Sequence, residues 1–256
     1  MARKEETGVQ VMGIDVGGSG IKGGIVDVAR GELLTDRHRF ATPQPATPKA
    51  VAAVARRLVD HFSWEGPVGI AIPTIVRHGT VYSAANIDKS WVGENAVKRF
   101  SKALGRPVRV LNDADAAGLA ELHYGNAKNY SDGVVILLTF GTGIGSAIFV
   151  EGELLPNSEL GHLILHGSDA EHWASAKVRE DEGLSWEQWG LRVDEYLDHL
   201  EFLFSPDAFI IGGGVSRNSG QFFPYLSTAA RIIAAELENR AGVVGAAWYA
   251  AQEGAP

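Results

Sequence analysis

Three clusters of glycine hold most of the chemistry that the sequence offers. Each follows a run of apolar, strand-forming residues, at positions 17–20, 141–145 and 212–214. Because glycine has no Cβ, the backbone N–H groups of such turns can closely approach phosphate oxygens. Since α/β sheets bind ligands at the carboxyl ends of strands, the clusters predict a site for a polyphosphoryl donor. The predicted donor-binding residues are Gly17, Gly18, Ser19, Gly20, Lys22, Thr139, Gly141, Thr142, Gly143, Gly213 and Gly214.

Asp15 ends the predicted strand in front of the first cluster, and Lys22 follows that cluster. A carboxylate at this place can hold a hydrated Mg²⁺ between oxygens of the donor, and Lys22 adds positive charge. Magnesium is therefore the expected cofactor, with Asp15 as its ligand. The alternative is a turn aspartate that hydrogen-bonds its own backbone.

Two better-known phosphate motifs do not fit the first cluster. Residues 18–23 match the spacing of the dinucleotide-binding fingerprint, but that motif needs a helix after the turn, and 24–28 read as strand. A Walker A loop needs a Gly-Lys pair, which the chain lacks. The sequence therefore favours a glycine turn between two strands.

Asn112 and Asp113 lie where a predicted strand runs into an alanine-rich helix. A carboxylate there can accept the proton of a hydroxyl group that attacks phosphorus, so Asp113 is the candidate general base. Asn and Asp are also favoured helix N-caps, which leaves a structural interpretation open.

Glu159 and His162 offer hydrogen-bonding groups suited to vicinal hydroxyls. A competing hypothesis is a metal site made by His162, His166 and Glu171. A His-x₃-His pair is a weak metal signal outside a helix, and 163–165 read as strand.

The elements that must position these residues alternate between strands and helices, which predicts a parallel or mixed α/β sheet. The predicted elements are a β-meander over 9–40, strands at 68–73, 108–112, 133–140, 146–150 and 208–211, and helices from Thr47 or Pro48 to about 61 and at 114–124, 183–204, 222–237 and 241–251.

The second half of the chain repeats a pattern of the first. Each half has a glycine turn, a β run and then Gly-Glu-Leu-Leu, at 31–34 and 152–155. A recurrence after about 120 residues predicts two related domains that face each other. We expect a small domain of 1–117 with a C-terminal helix from about 240 to 256, and a large domain of 118–239.

Composition narrows the class of partner. The 256 residues carry a formal net charge of −8 and no cysteine. The negative net charge argues against a nucleic-acid-binding surface, which is usually basic. The lack of cysteine excludes a thiolate zinc site. No stretch approaches the roughly 18 apolar residues of a membrane span, and 1–10 lack a signal-peptide core. We therefore expect a cytoplasmic protein that binds neither nucleic acid nor membrane.

The motifs occur in a characteristic order that covers nearly the whole chain. They are Asp15-Val-Gly-Gly-Ser-Gly-Ile-Lys, Leu111-Asn-Asp-Ala-Asp, Thr139-Phe-Gly-Thr-Gly-Ile-Gly, Glu159-Leu-Gly-His and Ile211-Gly-Gly-Gly-Val-Ser. This order resembles the ROK family of sugar kinases. The resemblance implies an actin-like, ribonuclease H-like α/β fold with two domains and a central cleft, and a homodimer.

The resemblance also implies roles for single residues. Asp113 matches the base that takes a proton from the sugar 6-hydroxyl. Asn86, Asn112, Glu159 and His162 match sugar-binding residues. Most of the family has a cysteine-rich zinc loop that ends in a sugar-binding glutamate. This chain has no cysteine, so no zinc is expected, and Glu171 takes the place of that glutamate.

In lacking the zinc motif, the chain resembles the polyphosphate-dependent glucokinase branch of the family. Two segments resemble the same branch, Asn86-Ile-Asp-Lys-Ser-Trp and Asp181-Glu-Gly-Leu-Ser-Trp. This implies phosphoryl transfer from inorganic polyphosphate, ATP or both to the 6-hydroxyl of glucose, with mannose as a further acceptor. Binding a linear polyphosphate needs cations beyond Lys22. A basic stretch of the sequence is either a binding surface for polyphosphate or an ordinary solvated helix face. Its members are Lys89, Lys98, Arg99, Lys102 and Arg106.

Three alternatives stay open at this point. The first is an ATP-only ROK kinase for glucose or an amino sugar. The second is a sugar-responsive regulator, which needs a DNA-binding domain and a basic surface, whereas about eight residues precede the first predicted strand. The third is an anion- or metal-binding module without catalysis.

Overall fold

A computed structural model describes residues 9–85, 87–130 and 132–252. Its strands are β1 (Gln10–Val16), β2 (Gly20–Asp27), β3 (Glu32–Leu33), β4 (His38–Ala41), β5 (Val68–Ile72), β6 (Val76–Arg77), β7 (Thr80–Val81), β8 (Val108–Asn112), β9 (Val134–Phe140), β10 (Ile144–Val150), β11 (Glu153–Leu155), β12 (Ile164–Leu165), β13 (Ser168–Asp169), β14 (Ala208–Gly213) and β15 (Arg231–Ala234). Its α-helices are α1 (Pro48–His61), α2 (Ala96–Leu104), α3 (Asp113–Tyr124), α4 (Glu171–Ala174), α5 (Ala176–Asp181), α6 (Trp186–Phe204), α7 (Ser219–Phe222) and α8 (Ala241–Ala251).

The chain divides into two compact units. The first holds the described residues up to Ala120 and those from Gly242 onward, and the second is Glu121–Ala241. The sheet of the first unit has the order β3-β2-β1-β5-β8, with β4 also paired to β2. Because β1, β5 and β8 run parallel, their carboxyl ends lie at one edge, where Asp15 and Asn112 are found.

The second unit contains a sheet of the same design, in the order β11-β10-β9-β14-β15. In both sheets the first two long strands are antiparallel and the next two join in parallel. The recurring Glu-Leu segments supply the edge strands β3 and β11. The sequence pattern thus corresponds to one sheet topology built twice, and the predicted mixed α/β fold is confirmed.

Close packing fixes the first sheet against the terminal helix. Gly13 on β1 and Gly69 on β5 lie directly against the backbone of α8, where a Cβ would overlap the carbonyl oxygens of Val243 and Ala246. Helix α1 covers the sheet as well, and buries Val51 and Leu58. This close packing sets the position of β1 and β5 against α8.

The core of the second unit is built around Trp189 on α6. Its indole N–H donates to the carbonyl of Ala174 at 3.0 Å, which ties α4 to α6. Helix α6 begins with a capping box in which the side chains of Ser185 and Gln188 bond each other's backbone N–H groups. These contacts position α4, whose first residue is Glu171.

The predicted helix over 222–237 is wrong. The segment contains the end of α7, a short 3₁₀ turn and then β15, which pairs in parallel with β14. Alanine, glutamate and leucine favour a helix by propensity, but pairing with an open sheet edge satisfies the backbone of Arg231–Ala234 instead.

Across the part of the chain that the structure describes, every helix is too short or too polar to cross a membrane.

Candidate functional site

The first glycine turn joins β1 to β2 and is held by bonds to its backbone. The N–H of Gly17 donates to the carbonyl of Gly20 at 3.0 Å. The hydroxyl of Thr42 donates to the carbonyl of Gly17, and a guanidinium N–H of Arg39 donates to that of Ser19, both at 2.5 Å. Gly18 and Ser19 remain exposed at the tip. The turn is therefore preorganised and open to a ligand.

Asp15 and Lys22 face each other across β1 and β2, with 3.7 Å between Lys22 Nζ and Asp15 Oδ2. Burial raises the pKa of the Asp15 carboxyl, while the positive charge of Lys22 lowers it. Gly242 leaves room for this carboxyl group, since a Cβ there would lie 2.9 Å from Asp15 Cγ. A single carboxylate that keeps 17% of its side-chain surface exposed, beside an open glycine turn, fits a magnesium ion, which keeps several waters and phosphate oxygens as ligands.

The second and third glycine clusters lie side by side in the second unit. The N–H of Gly141 donates to the carbonyl of Gly143 at 3.0 Å, which closes the turn between β9 and β10. Gly213 pairs with Phe140 in the parallel register of β14 and β9, so 213–214 adjoin this turn. Gly213 has a φ of +84°, and a Cβ there would overlap the Phe140 carbonyl, so glycine is required.

The cap of helix α3 is formed chiefly by Asn112, next to the candidate base Asp113. The side-chain oxygen of Asn112 accepts from the N–H groups of Ala114 at 2.7 Å and Asp115 at 3.1 Å, as a helix cap does. Its amide group donates to the carbonyl of Thr74 at 3.2 Å. The half-buried Asp113 shares one of these donors, since its Oδ1 accepts from the N–H of Ala114 at 2.9 Å, but the bonds of Asn112 alone cap α3.

The sugar-binding candidates of the second unit form one charged group. Glu159 precedes and His162 ends a 3₁₀ turn at Leu160–His162, and Glu171 begins α4. Burial raises the pKa of Glu159, with Glu171 adding to the rise and His162 opposing it. Ligand atoms of His162 and Glu171 lie within 4.8 Å of each other, and Glu159 directly precedes the turn that ends at His162. The three side chains offer acceptors and a donor for hydroxyl groups.

Asp169 on β13 joins this group, which the sequence did not suggest. Its Oδ2 lies 2.8 Å from Nδ1 of His162, and this hydrogen bond is the main cause that raises the pKa of His162. The hairpin β12–β13 turns at His166 and Gly167, which both have positive φ, and thereby brings Asp169 back to His162.

The metal site hypothesised from His162, His166 and Glu171 is not formed. Nε2 of His166 lies 2.7 Å from a carboxylate oxygen of Glu195 on α6 instead. A set of ligand atoms within 4.8 Å of one another is found at His162, Asp169 and Glu171. The same three groups suit hydroxyl recognition, since two acceptors flank one donor.

Glu171 also contacts the second glycine turn. Its Oε2 accepts from the N–H of Ile144 at 3.2 Å, directly after that turn. A Cβ on Gly143 would overlap this oxygen, so the glycine leaves the space that the carboxylate uses. The sugar-binding candidate and the donor-binding candidate are thus in direct contact.

The other predicted residues have less support from the structure. Asn86 lies outside the described residues. In the basic stretch, the guanidinium group of Arg99 is paired with Glu94 at 3.0 Å and that of Arg106 donates to the Trp64 carbonyl at 3.2 Å. Its lysines Lys89, Lys98 and Lys102 are exposed.

The bond between Asp169 and His162 leads to a pH-dependent prediction. Asp169→Asn is expected to lower the pKa of His162, because the carboxylate that stabilises the imidazolium is removed. Since the folded-state pKa is raised, the wild type should exceed the variant in stability below about pH 6.5, and this advantage should fade as pH rises through the His162 pKa. NMR titration of the His162 ring, with urea unfolding at several pH values, measures both effects.

Glu195→Gln provides the control, because it removes a carboxylate paired with a different histidine of the same hairpin, His166. It should leave the His162 titration unchanged. An unchanged His162 pKa in Asp169→Asn would show that the bond to Asp169 does not raise the pKa of His162.

The chain was compared with known proteins. The profile of the ROK family matches residues 11–183. The polyphosphate glucokinase of Mycobacterium tuberculosis CDC 1551 / Oshkosh is 51% identical over 92% of this chain and 89% of its own length. The structure of the inorganic polyphosphate/ATP-glucomannokinase from Arthrobacter sp. strain KM matches with a TM-score of 0.90 and 49% identity, over 95% of this chain and 98% of that one. A ROK family glucokinase from Streptomyces griseus, solved with glucose and AMPPNP, matches with a TM-score of 0.80 and 27% identity over 94% and 99%.

Proposed function

The chain belongs to the ROK family, and from this premise we propose that it is a polyphosphate/ATP-dependent glucokinase. It transfers a phosphoryl group to the 6-hydroxyl of glucose. The observation that carries the proposal is the identity of about half of all residues with a polyphosphate glucokinase over nearly the full length of both chains. The Arthrobacter polyphosphate/ATP enzyme, at 49% identity, supports the same donors.

The residue roles in this proposal come from the family resemblance. Asp113, which begins α3 directly after β8, accepts the proton of the attacking hydroxyl group. In the second unit, Glu159, His162 and Glu171 orient the sugar by hydrogen bonds to its other hydroxyls. Asn86 and Asn112 are further sugar contacts by the family resemblance alone. The glycine turns hold the donor phosphates through backbone N–H groups.

Magnesium belongs to this proposal as the cofactor. When bound, the ion neutralises charge on the donor phosphates, and Asp15 is the residue of this chain that would hold it. Lys22, 3.7 Å from that carboxylate, adds a fixed positive charge at the same turn. Mannose as a second acceptor, a homodimer and a cytoplasmic location complete the proposal. The first two derive from the family resemblance, and the third is the expectation drawn from the sequence.

Assays with a single donor test the proposal. Purified protein should form glucose 6-phosphate with inorganic polyphosphate as the sole phosphoryl donor, and also with ATP. Mannose in place of glucose should give mannose 6-phosphate. Apyrase treatment of the polyphosphate reaction serves as the control against contaminating nucleotide. Formation of product with ATP but not with polyphosphate would instead identify an ATP-only kinase.

A further inference from the structure

Arg39 is fastened to the first glycine turn, although it lies 19 residues beyond Gly20 in the sequence. One of its terminal N–H groups donates to the Ser19 carbonyl at 2.5 Å. The guanidinium group occupies the space beside Gly20, where a Cβ would overlap its Nε atom. The absence of a side chain at Gly20 therefore lets an arginine lie against a turn whose tip is open to ligands.

Strand pairing sets Arg39 in a row of charges. Lys22 on β2 faces Asp15 on β1 at one side and Arg39 on β4 at the other. Residues directly opposite each other share a face of the sheet, and two like charges in such a pair are destabilising. Asp15 offsets the charge of Lys22 at 3.7 Å. Within the described ranges, no carboxylate lies within ion-pair distance of Arg39, whose side chain is exposed.

We propose that Arg39 binds the phosphoryl donor, at a phosphate unit of the polyphosphate chain next to the unit held by the turn Gly17–Gly20. A bound polyanion gives Lys22 and Arg39, which occupy opposite positions on β2 and β4, a shared partner. The bond to Ser19 uses one of five guanidinium N–H donors and fixes the orientation of the group. The remaining donors form a planar fork that matches the oxygens of a phosphate.

This proposal rests on the proposed function and makes it more specific. The basic stretch near α2 is a weaker candidate, since Arg99 is held by Glu94 and Arg106 by the Trp64 carbonyl. Arg39 is joined directly to a donor-binding turn. ATP has fewer phosphates than a long polyphosphate, so a contact beyond the turn matters more for the polymer.

The test compares Arg39→Gln and Arg39→Lys with the control Arg30→Gln. Arg30 is 71% exposed, belongs to the same unit and pairs only distantly with Asp27, at 4.0 Å. Arg39→Gln should raise the KM for polyphosphate about tenfold or more and change the KM for glucose less than about twofold. It should also weaken the dependence of the polyphosphate KM on salt, because one charge contact is lost. Arg39→Lys should recover part of the affinity, and Arg30→Gln should match the wild type.

The polyphosphate dissociation constant, measured by calorimetry without sugar, gives a readout that needs no turnover. It should rise by the same factor in Arg39→Gln. If the wild type turns over polyphosphate and Arg39→Gln keeps the same KM and salt dependence, the role of Arg39 is refuted while the proposed function stands. If the wild type forms no sugar phosphate from polyphosphate, the donor assignment itself fails. An equal loss for polyphosphate and glucose, with a lower melting temperature, would show that Arg39 only shapes the turn, and would also overturn the proposal.

Discussion

Asp113→Asn is expected to reduce kcat for glucose phosphorylation by roughly 10²–10⁴-fold, with little change in glucose binding. The amide cannot accept the proton that the sugar hydroxyl loses as it attacks phosphorus. Its size and shape match those of the carboxylate, so the sugar site keeps its form. Initial rates with polyphosphate and with ATP measure the loss, and tryptophan fluorescence or calorimetry measures glucose affinity.

The choice of asparagine separates catalysis from helix capping, because Asn is as good an N-cap as Asp. Asn112 already accepts the N–H of Asp115 at 3.1 Å, so the melting temperature should hardly change. Asp60→Asn removes an exposed carboxylate of α1 in the same unit and should retain full activity. Near-normal turnover in Asp113→Asn would show that Asp113 is not the base.

The sequence was informative where function depends on local chain geometry. A glycine turn between two strand-like runs specifies both its own backbone and the strand ends beside it, so the turns at 17–20 and 141–143 were predictable. The boundary between β8 and α3 was predictable for the same reason, because Asn112 supplies a cap where an apolar run ends. The ROK family assignment, made from the order of these motifs, is confirmed.

Residues that reach the site through pairing across the chain were not predictable. Arg39 meets the first turn only because β4 pairs with β2 in one particular register. Asp169 meets His162 only because a two-residue turn reverses the hairpin β12–β13. Such registers depend on which side chains the sheet buries, and a single sequence does not reveal them. The same limitation explains why a helix was wrongly predicted at 231–234. There the backbone pairs with the open edge of the sheet, although the residues have helix propensity.

Contact between Glu171 and the second glycine turn makes Gly143→Ala a test of the sugar site. The new methyl group would take the space of the Glu171 carboxylate oxygen, and the backbone φ lies outside the left-handed range, so alanine fits the chain itself. Because a flexible side chain yields at small cost, stability should fall little while the carboxylate moves off its position. The KM for glucose should therefore rise about 10–100-fold, as expected when a charged hydrogen-bonding group is lost to the sugar.

Gly141→Ala is the matched control, since it lies in the same turn and a Cβ there has no atom within 4 Å. It should leave the KM for glucose unchanged, whatever its effect on the KM for the phosphoryl donor. Glu171→Gln should raise the KM for glucose by a similar factor. The double variant Gly143→Ala with Glu171→Gln should have a KM for glucose only slightly higher than that of either single variant, because both changes act through one carboxylate. Additive effects would mean that Gly143 acts on the sugar by another route. An unchanged KM in Gly143→Ala, with the fold intact, would separate the glycine turn from sugar binding. An unchanged KM in Glu171→Gln would leave Glu171 without the role proposed for it.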